Sequence, residues 1–354
     1  MRPRRSKERN FEAMVMKMDK PRVSVIVLNW NGKHFLEKCL DSLLNQDYPN
    51  FEVLLVDNGS TDNSLEFVRS KFGKNGKLRV VALRKNHGFS KGNNIGIKYA
   101  RGDYIIVLNN DTEVKKNLIT KLVETAERSE RIGSVGCKIV TDKGKTWFSQ
   151  KFTNGGFIVP FFLQTLAKER IEAVSNDFYT NLANSGCAVL YRKSVLDEVG
   201  LFDEDFWSNS EDWDLGYRIN MAGFKSVYIP ASLVFHVGAG SEGYTPERKV
   251  KMYRNTLFTY FKNYERKNLL TRFPVLMFVL LPMWHLAWLC HRLALHLPDF
   301  NGREGIDYFL SIMKAYVQFL LKLKTFVVKR HKVQRLRKVS DKQIFTNTRL
   351  KFLV

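Results

Sequence analysis

The chain has 354 residues, with 57 Lys and Arg against 35 Asp and Glu, for a formal charge of +22. That length holds one large or two ordinary domains with a substantial core. The excess charge is concentrated at the ends, while acids and bases nearly balance between Val23 and about Ala239, and it implies an anionic partner, nucleic acid or a membrane surface, for the termini. Arg2, Arg4 and Arg5 open the sequence, and beyond Lys322 a run that includes Lys329, Arg330, Arg337 and Lys338 meets a single acid, Asp341. Cys39, Cys137, Cys187 and Cys290 are widely spaced in apolar runs without a C-x-x-C pair, and read as buried free thiols in a reducing compartment.

Residues 1–20 are polar and basic and are expected to form a disordered leader. No apolar stretch precedes Pro21, so no secretory signal is expected. Val23–Trp30 reads as a buried strand, and Phe35, Leu36, Cys39, Leu40, Leu43 and Leu44 then recur at helical spacing. Phe51–Val56 is a second strand that ends at Asp57, followed by the turn Asn58-Gly59 and a helix from near Asp62 capped by Ser60 or Thr61. Arg79–Leu83 is a third strand, Gly88–Ala100 a helix, and Tyr104–Leu108 a fourth strand that breaks into Asn109, Asn110 and Asp111. Strands alternating with amphipathic helices predict a parallel, right-handed βαβ sheet. Leu118–Ala126 and Ile132–Val140 continue it, and residues 141–183 read as an irregular insert. Then come the strand Gly186–Tyr191, a helix over Glu211–Ala222 closed by Gly223, and the strand Ser226–Ile229.

From Thr271 the character changes. Phe273–Cys290 carries no formal charge but contains Pro274, Pro282 and His285. In Ile306–Val328 the polar residues Asp307, Ser311, Lys314, Gln318, Lys322 and Thr325 form a narrow stripe on an otherwise apolar helix. Three arrangements are open: helices lying in a membrane interface with the basic tail on anionic headgroups, a spanning hairpin of Phe273–Leu297 and Ile306–Val328, or plain packing on the rest of the protein. The first is preferred, because Lys314 would sit near mid-bilayer in a hairpin.

Asn29, Asp57, Asn86 and Asp111 all fall where strands reach a sheet's carboxyl edge, the edge at which open α/β sheets bind ligands. No glycine-rich dinucleotide loop and no Walker A sequence is present. Asp57 can accept a hydrogen bond from a base or sugar, although DNGSTD also reads as a plain turn. Asp111 offers a hard oxygen to a divalent cation, or a helix cap. His236 reads as a core residue or a ligand. Glu211 and Asp212 read as acids that favour a helix dipole or as a catalytic base, and Trp207 stacks on a sugar or packs.

Taken together, VSVIVLNWNG, LLVDNGSTDNS, LNNDTEV and GCAVLYRKSVLDEVGLFDEDFWSNSEDWDLGYRI resemble the inverting family 2 glycosyltransferases of the GT-A fold, over roughly residues 21–240. Within them the chain is most similar to the branch of rhamnosyltransferases and other cell-envelope polysaccharide enzymes. The resemblance implies an α/β GT-A nucleotide-diphospho-sugar transferase fold, a mostly parallel twisted sheet between helices, with a C-terminal helical membrane-associated region. It divides the chain into a transferase domain over 21–265, with a donor half to about 140 and an acceptor half after it. Apolar and amphipathic helices over 266–330 and a basic tail over 331–354 follow.

By the same resemblance Asn29, Asp57, Asn86, Gly88, Asn93, Asn110 and Asp111 bind the donor, and Trp207 meets the acceptor. Asp111 and His236 hold a divalent cation, Mg²⁺ or Mn²⁺, and Asp212, with Glu211 beside it, is the catalytic base. Asn109 departs from the family pattern, which has an acid there. The implied function is metal-dependent inverting transfer of a hexose or deoxyhexose from a nucleotide-diphospho-sugar to a lipid-linked or growing glycan acceptor, at the cytoplasmic face of the cell membrane. A catalytically inactive scaffold is the alternative that Asn109 suggests. Nucleic-acid binding rests on charge alone and is not expected, since no aromatics interleave with basic residues in the manner of RNA-binding modules.

Overall fold

Strands β1 (Val23–Asn29), β2 (Phe51–Asp57), β3 (Leu78–Ala82) and β4 (Tyr104–Asn109) lie parallel, in the spatial order β3-β2-β1-β4. The structure is a computed structural model that describes residues 20–141, 179–237, 245–280 and 302–347. β1, β2 and β4 are buried on both faces because helices cover both, while the edge strand β3 is only half-buried. Val25, Val53 and Ile106 point to a core shared with α1 (Lys33–Leu44), α2 (Ser64–Phe72) and α4 (Leu118–Ala126). Ile26, Leu54 and Ile105 point to the opposite core, with α3 (Gly88–Tyr99), α5 (Lys193–Val199) and α6 (Glu211–Met221). Helix α3 sits close on β1 because Gly92 has no side chain: a Cβ there would stand 2.5 Å from Leu28 Cδ1.

Beyond β4 the sheet becomes mixed. β8 (Ala188–Arg192) runs antiparallel to β4, β6 (Ile132–Thr141) antiparallel to β8, and β9 (Lys225–His236) parallel to β6. The short strands β5 (Thr112–Val114) and β7 (Tyr179–Asn181) each pair antiparallel with β9. β9 is much longer than the Ser226–Ile229 expected, because the chain passes Pro230 and Ala231 with a shift of register against Cys137 and Lys138 and then resumes pairing. That continuation carries His236 to a position opposite Thr112.

A third core is helical. α7 (Pro246–Asn263), α9 (Gly302–Leu321), α10 (Leu323–Gln334) and α11 (Asp341–Asn347) pack on the side of α6 away from the sheet. Phe258 of α7 stacks on Phe326 of α10 with ring centroids 3.5 Å apart, and Phe319 lies 5.5 Å from Phe258. Such aromatic pairs each contribute about 0.5–1.5 kcal/mol beyond their burial. The short helix α8 (Arg266–Thr271) and a helical turn through Leu280 lead away from α7.

The expected single helix over Ile306–Val328 is two, broken at Lys322. Part of its polar stripe faces inward, where Gln318 accepts from Arg254 at 3.2 Å and Lys322 meets Asp205 at 2.7 Å, while Asp307, Lys314 and Thr325 are exposed. Much of the basic tail is likewise spent inside the protein, on Asp203 and Asp205 by Lys329 and on Asp341 by Arg337. The outer face of α9 is apolar, with Phe309, Leu310, Met313, Val317, Leu320 and Leu321 exposed. Among the described residues no helix is long and apolar enough to cross a membrane. The expected leader before Lys20, residues 142–178 of the expected insert, the apolar run after Leu280 and the end of the tail after Asn347 lie outside the described residues. Cys39, Cys137 and Cys187 are buried free thiols, and burial pushes Cys39 and Cys137 up to about 12, which leaves them inert. Cys290 is outside the described residues.

Candidate active site

Register brings the strand-end residues together. Asn29 lies opposite Asp57, and Leu28 opposite Asn109, so β1, β2 and β4 release their polar ends at one edge. There the Asn29 amide donates to Asp57 Oδ1 at 3.0 Å, and the Asn110 amide donates to Asn29 Oδ1 at 2.7 Å. Ser60, expected with Thr61 as a cap for the next helix, which instead starts at Ser64 after Asn63, completes the cluster: its N–H donates to Asp57 Oδ2 at 3.0 Å and its hydroxyl accepts from Asn29 at 3.2 Å. Asp57 is thus aimed by its neighbours, with lone pairs left for an N–H donor.

Asn86 and Gly88 shape the next part of the edge. Asn86 Oδ1 accepts from Gly88 N–H at 2.8 Å and from the amide of Asn58 at 2.9 Å. Gly88 has φ +75°, and a Cβ on it would stand 2.6 Å from the Trp207 indole. Only glycine serves there, on both counts. Asn93, on α3, is fully buried; its amide donates to Phe89 O at 3.0 Å, while its Oδ1 has no hydrogen-bond partner among the described residues. Trp207 is 39% exposed and covers Gly88, so it forms a wall of the donor edge as well as facing the space next to it.

Asp111 and His236 meet. Pairing of β5 with β9 sets Thr112 opposite His236, and His236 Nε2 lies 3.0 Å from Asp111 Oδ1. Both side chains are nearly buried, and Asp111 Oδ2 has no partner among the described residues. The Asn109 amide nitrogen is 3.5 Å from the same histidine nitrogen. A carboxylate oxygen shut off from water without a donor is unfavourable unless a cation or a ligand proton meets it. No group of three or more His, Cys, Asp and Glu able to hold a metal occurs among the described residues. Two protein ligands suit Mg²⁺ or Mn²⁺ only where substrate oxygens complete the shell, as phosphates do.

The three acids that open α6 have separate fates. Asp214 is fully buried and held by Arg218 at 2.9 Å, Asn263 at 2.8 Å and Lys262 at 2.8 Å, so it fastens α6 to α7. Glu211 is buried in the first turn. Asp212 accepts the N–H of Gly186 at 3.0 Å and its helix neighbour Trp213 N–H at 2.9 Å. Burial pushes its carboxyl above the ordinary carboxylate range, against those two backbone donors. Gly186 leads into β8, and Cys187 O accepts the N–H of Asn109 at 2.9 Å. Asp212 therefore stands beside the end of β4, next to the Asp111 edge. Asp205, another acid of this region, is taken up by Lys322 and Lys329, which hold it below the usual range against the upward push of burial.

Residues 24–200, half of the chain, match the family model described as glycosyl transferase family 2. The chain belongs to that family. It is a transferase, and its mixed sheet matches the GT-A glycosyltransferases. It is 27% identical over 217 residues to the glycosyltransferase GlyG of Streptococcus pneumoniae, a match that covers 60% of this chain and 70% of that one. It is also 27% identical over 259 residues to the N-acetylglucosaminyl-diphospho-decaprenol L-rhamnosyltransferase of Mycobacterium tuberculosis, covering 67% of this chain and 82% of that one. Of other matched relatives this chain spans about half of the length or less. Among solved structures the mannosyltransferase of Pyrobaculum calidifontis superposes with a TM-score of 0.57 at 18% identity, over 88% of this chain and 93% of that one. In the glycosyltransferase the residues expected at the donor edge fall at the ends of β1 and β2 (Asn29, Asp57), just past β4 (Asn110, Asp111), in the loop before α3 (Asn86) and on α3 itself (Gly88, Asn93).

Proposed function

We propose that this glycosyltransferase moves a sugar, with inversion, from a nucleotide-diphosphate donor to a lipid-linked or growing glycan acceptor in cell-envelope polysaccharide synthesis. The observation that carries the reading is the pairing of Asp111 with His236, with Asp57 and Asp212 on the same sheet edge. Asp57 accepts from an N–H of the base. The nucleotide crosses the ends of β1 and β2, and its diphosphate reaches Asp111. Asp111 and His236 would hold a divalent cation, Mg²⁺ or Mn²⁺, which when bound would supply positive charge against the leaving diphosphate. The lone Asp111 Oδ2 fits that role. Asp212 takes the proton of the acceptor hydroxyl while that oxygen attacks the anomeric carbon from the face opposite the diphosphate. Its raised basicity suits it to hold that proton. The relative in Mycobacterium tuberculosis is named for a diphospho-decaprenol acceptor, and the Pyrobaculum enzyme was solved with GDP-mannose and Mn²⁺, which supports the donor and acceptor classes.

Replacing Asp57 with Ala will weaken nucleotide affinity by roughly ten- to a hundredfold, as expected for one lost hydrogen bond to a charged group. Turnover at saturating donor will change little, because Asp57 does not touch the reacting carbon. Calorimetric titration with the donor nucleotide and a saturation curve check the two halves; a collapse of turnover with unchanged affinity would move Asp57 out of the base pocket.

The same reading sets the enzyme on the cytoplasmic face of the membrane by interfacial attachment. Leu321 is 79% and Phe278 69% exposed, in an apolar face that also includes Phe309 and Leu320. Arg266, Lys267, Lys314 and Lys324 are exposed on the same helices or next to them. Basic side chains contribute about 1 kcal/mol each near an anionic surface. Phe309→Glu with Leu321→Glu will abolish sedimentation with vesicles rich in anionic lipid, while donor affinity stays as in the parent. Binding that survives the double change would assign the attachment elsewhere.

A further inference from the structure

Among the described residues the loop ahead of α6 has the highest density of unfavourable backbone: Trp207, Asn209 and Ser210 have φ of 64°, 70° and 66°. Each non-glycine residue in the left-handed region costs about 1–3 kcal/mol and persists only where the surroundings over-determine it. The loop also joins the two halves of the active site. Trp207 O accepts the N–H of Ser90 at 3.0 Å, in the first turn of α3, and the indole covers Gly88. Ser210 O accepts the N–H of Asp214 at 3.1 Å and so opens α6, one residue before Glu211 and two before Asp212.

What holds the loop comes from α7. Asn255 is fully buried, and its amide nitrogen stands 2.9 Å from Phe206 O, 2.9 Å from Ser208 O and 2.7 Å from Asn209 O. Its Oδ1 accepts from Arg254 Nε at 3.0 Å and Nη2 at 2.8 Å. Arg254 Nη2 reaches Asp205 O at 3.3 Å as well. Both faces of the amide are therefore committed, the donor to the loop and the acceptor to the arginine. An aspartate of the same shape would turn a carboxylate toward three carbonyl oxygens.

We propose that Asn255 is a positioning residue for sugar transfer: it imposes the left-handed loop that sets the start of α6, and with it the Asp212 carboxylate, against the donor edge. The assignment rests on Asp212 as the base. It makes the helical layer after β9 part of the transfer machinery, although the residues matched by the family model end at 200.

The test compares Asn255→Asp and Asn255→Ala with Asn268→Ala, a control in the same helical layer. Asn268 donates to Asp341 at 2.7 Å and does not touch the loop. In both Asn255 variants the Ser90 and Asp214 amides will exchange hydrogen about tenfold faster or more. kcat will fall about tenfold or more, and donor Kd will stay within about threefold. The control will lose melting temperature without either change. Retained amide protection and kcat in the Asn255 variants, or a control that loses kcat in step with its melting temperature, overturns the proposal. If Asn255→Ala does not fold, Asn209→Gly added to it relieves the strained backbone and restores folding; failure to restore it also counts against the clamp. A wild-type chain that turns over no donor would defeat the reading of the active site, and amide exchange would still decide whether Asn255 holds the loop.

Discussion

Replacing Asp212 with Asn will cut turnover by about a hundredfold or more and leave donor affinity almost unchanged. The substitution keeps the size of the side chain and, through the amide oxygen, its contact with the Gly186 N–H, at the loss of the bond that the other carboxylate oxygen accepts from the Trp213 N–H. What it removes is the ability to take a proton. The donor edge is built on other strands, from Asn29, Asp57 and Asn110, and does not use Asp212. The pH profile carries the same signature. A general base works only when ionised, so turnover is lost as pH falls through its pKa. Burial holds the Asp212 carboxyl high, so the acid limb of kcat will lie above the ordinary carboxylate value of about 3.9. It will vanish in the Asn variant. Near-normal turnover of Asp212→Asn would give the role to Glu211.

Asp111→Ala will abolish metal-dependent donor binding. The carboxylate is the only anionic ligand that the end of β4 offers, since Asn109 stands where an acid would supply a second. Its loss leaves His236 without the partner 3.0 Å away. Charge stabilisation by a cation contributes several kcal/mol in such reactions, so turnover should fall by about a thousandfold. Titration of the variant with Mn²⁺ in the presence of nucleotide will give no heat, and the parent will bind. Full Mn²⁺-dependent binding in Asp111→Ala would relocate the cation.

The donor edge was legible in the sequence because parallel strands buried on both faces leave a sharp boundary. VSVIVLN, FEVLLVD and YIIVLN each end on a polar residue, and register then brings those ends together. His236 was harder to locate. Pro230 and Ala231 interrupt the apolar pattern of β9, so the expected strand stopped at Ile229, whereas pairing with β6 and β5 carries it through to His236. Ser60 was hidden in turn chemistry that also has a structural meaning. Asn255 gave no signal of its role: the loop carbonyls it holds lie 46 to 49 residues away in the chain, and an Asn on a helix reads as solvent-facing. The inward part of the polar stripe of α9 and α10, Gln318 and Lys322, was hidden for a related reason. Periodicity reveals that a helix has two faces, but not that Asp203 and Asp205 wait opposite the polar one.

The central claim is that a nucleotide-sugar and a divalent cation share the edge formed by Asp57, Asp111 and His236. The most direct test is a thermal-shift screen of nucleotide-diphospho-sugars on the intact chain, with Mn²⁺ and with chelator. At a ligand concentration a hundred times its dissociation constant the expected stabilisation is about 2.7 kcal/mol. The account predicts that at least one donor raises the melting temperature with Mn²⁺ and that chelator removes most of the rise. No shift with any nucleotide-sugar, or the same shift with and without the metal, would contradict it.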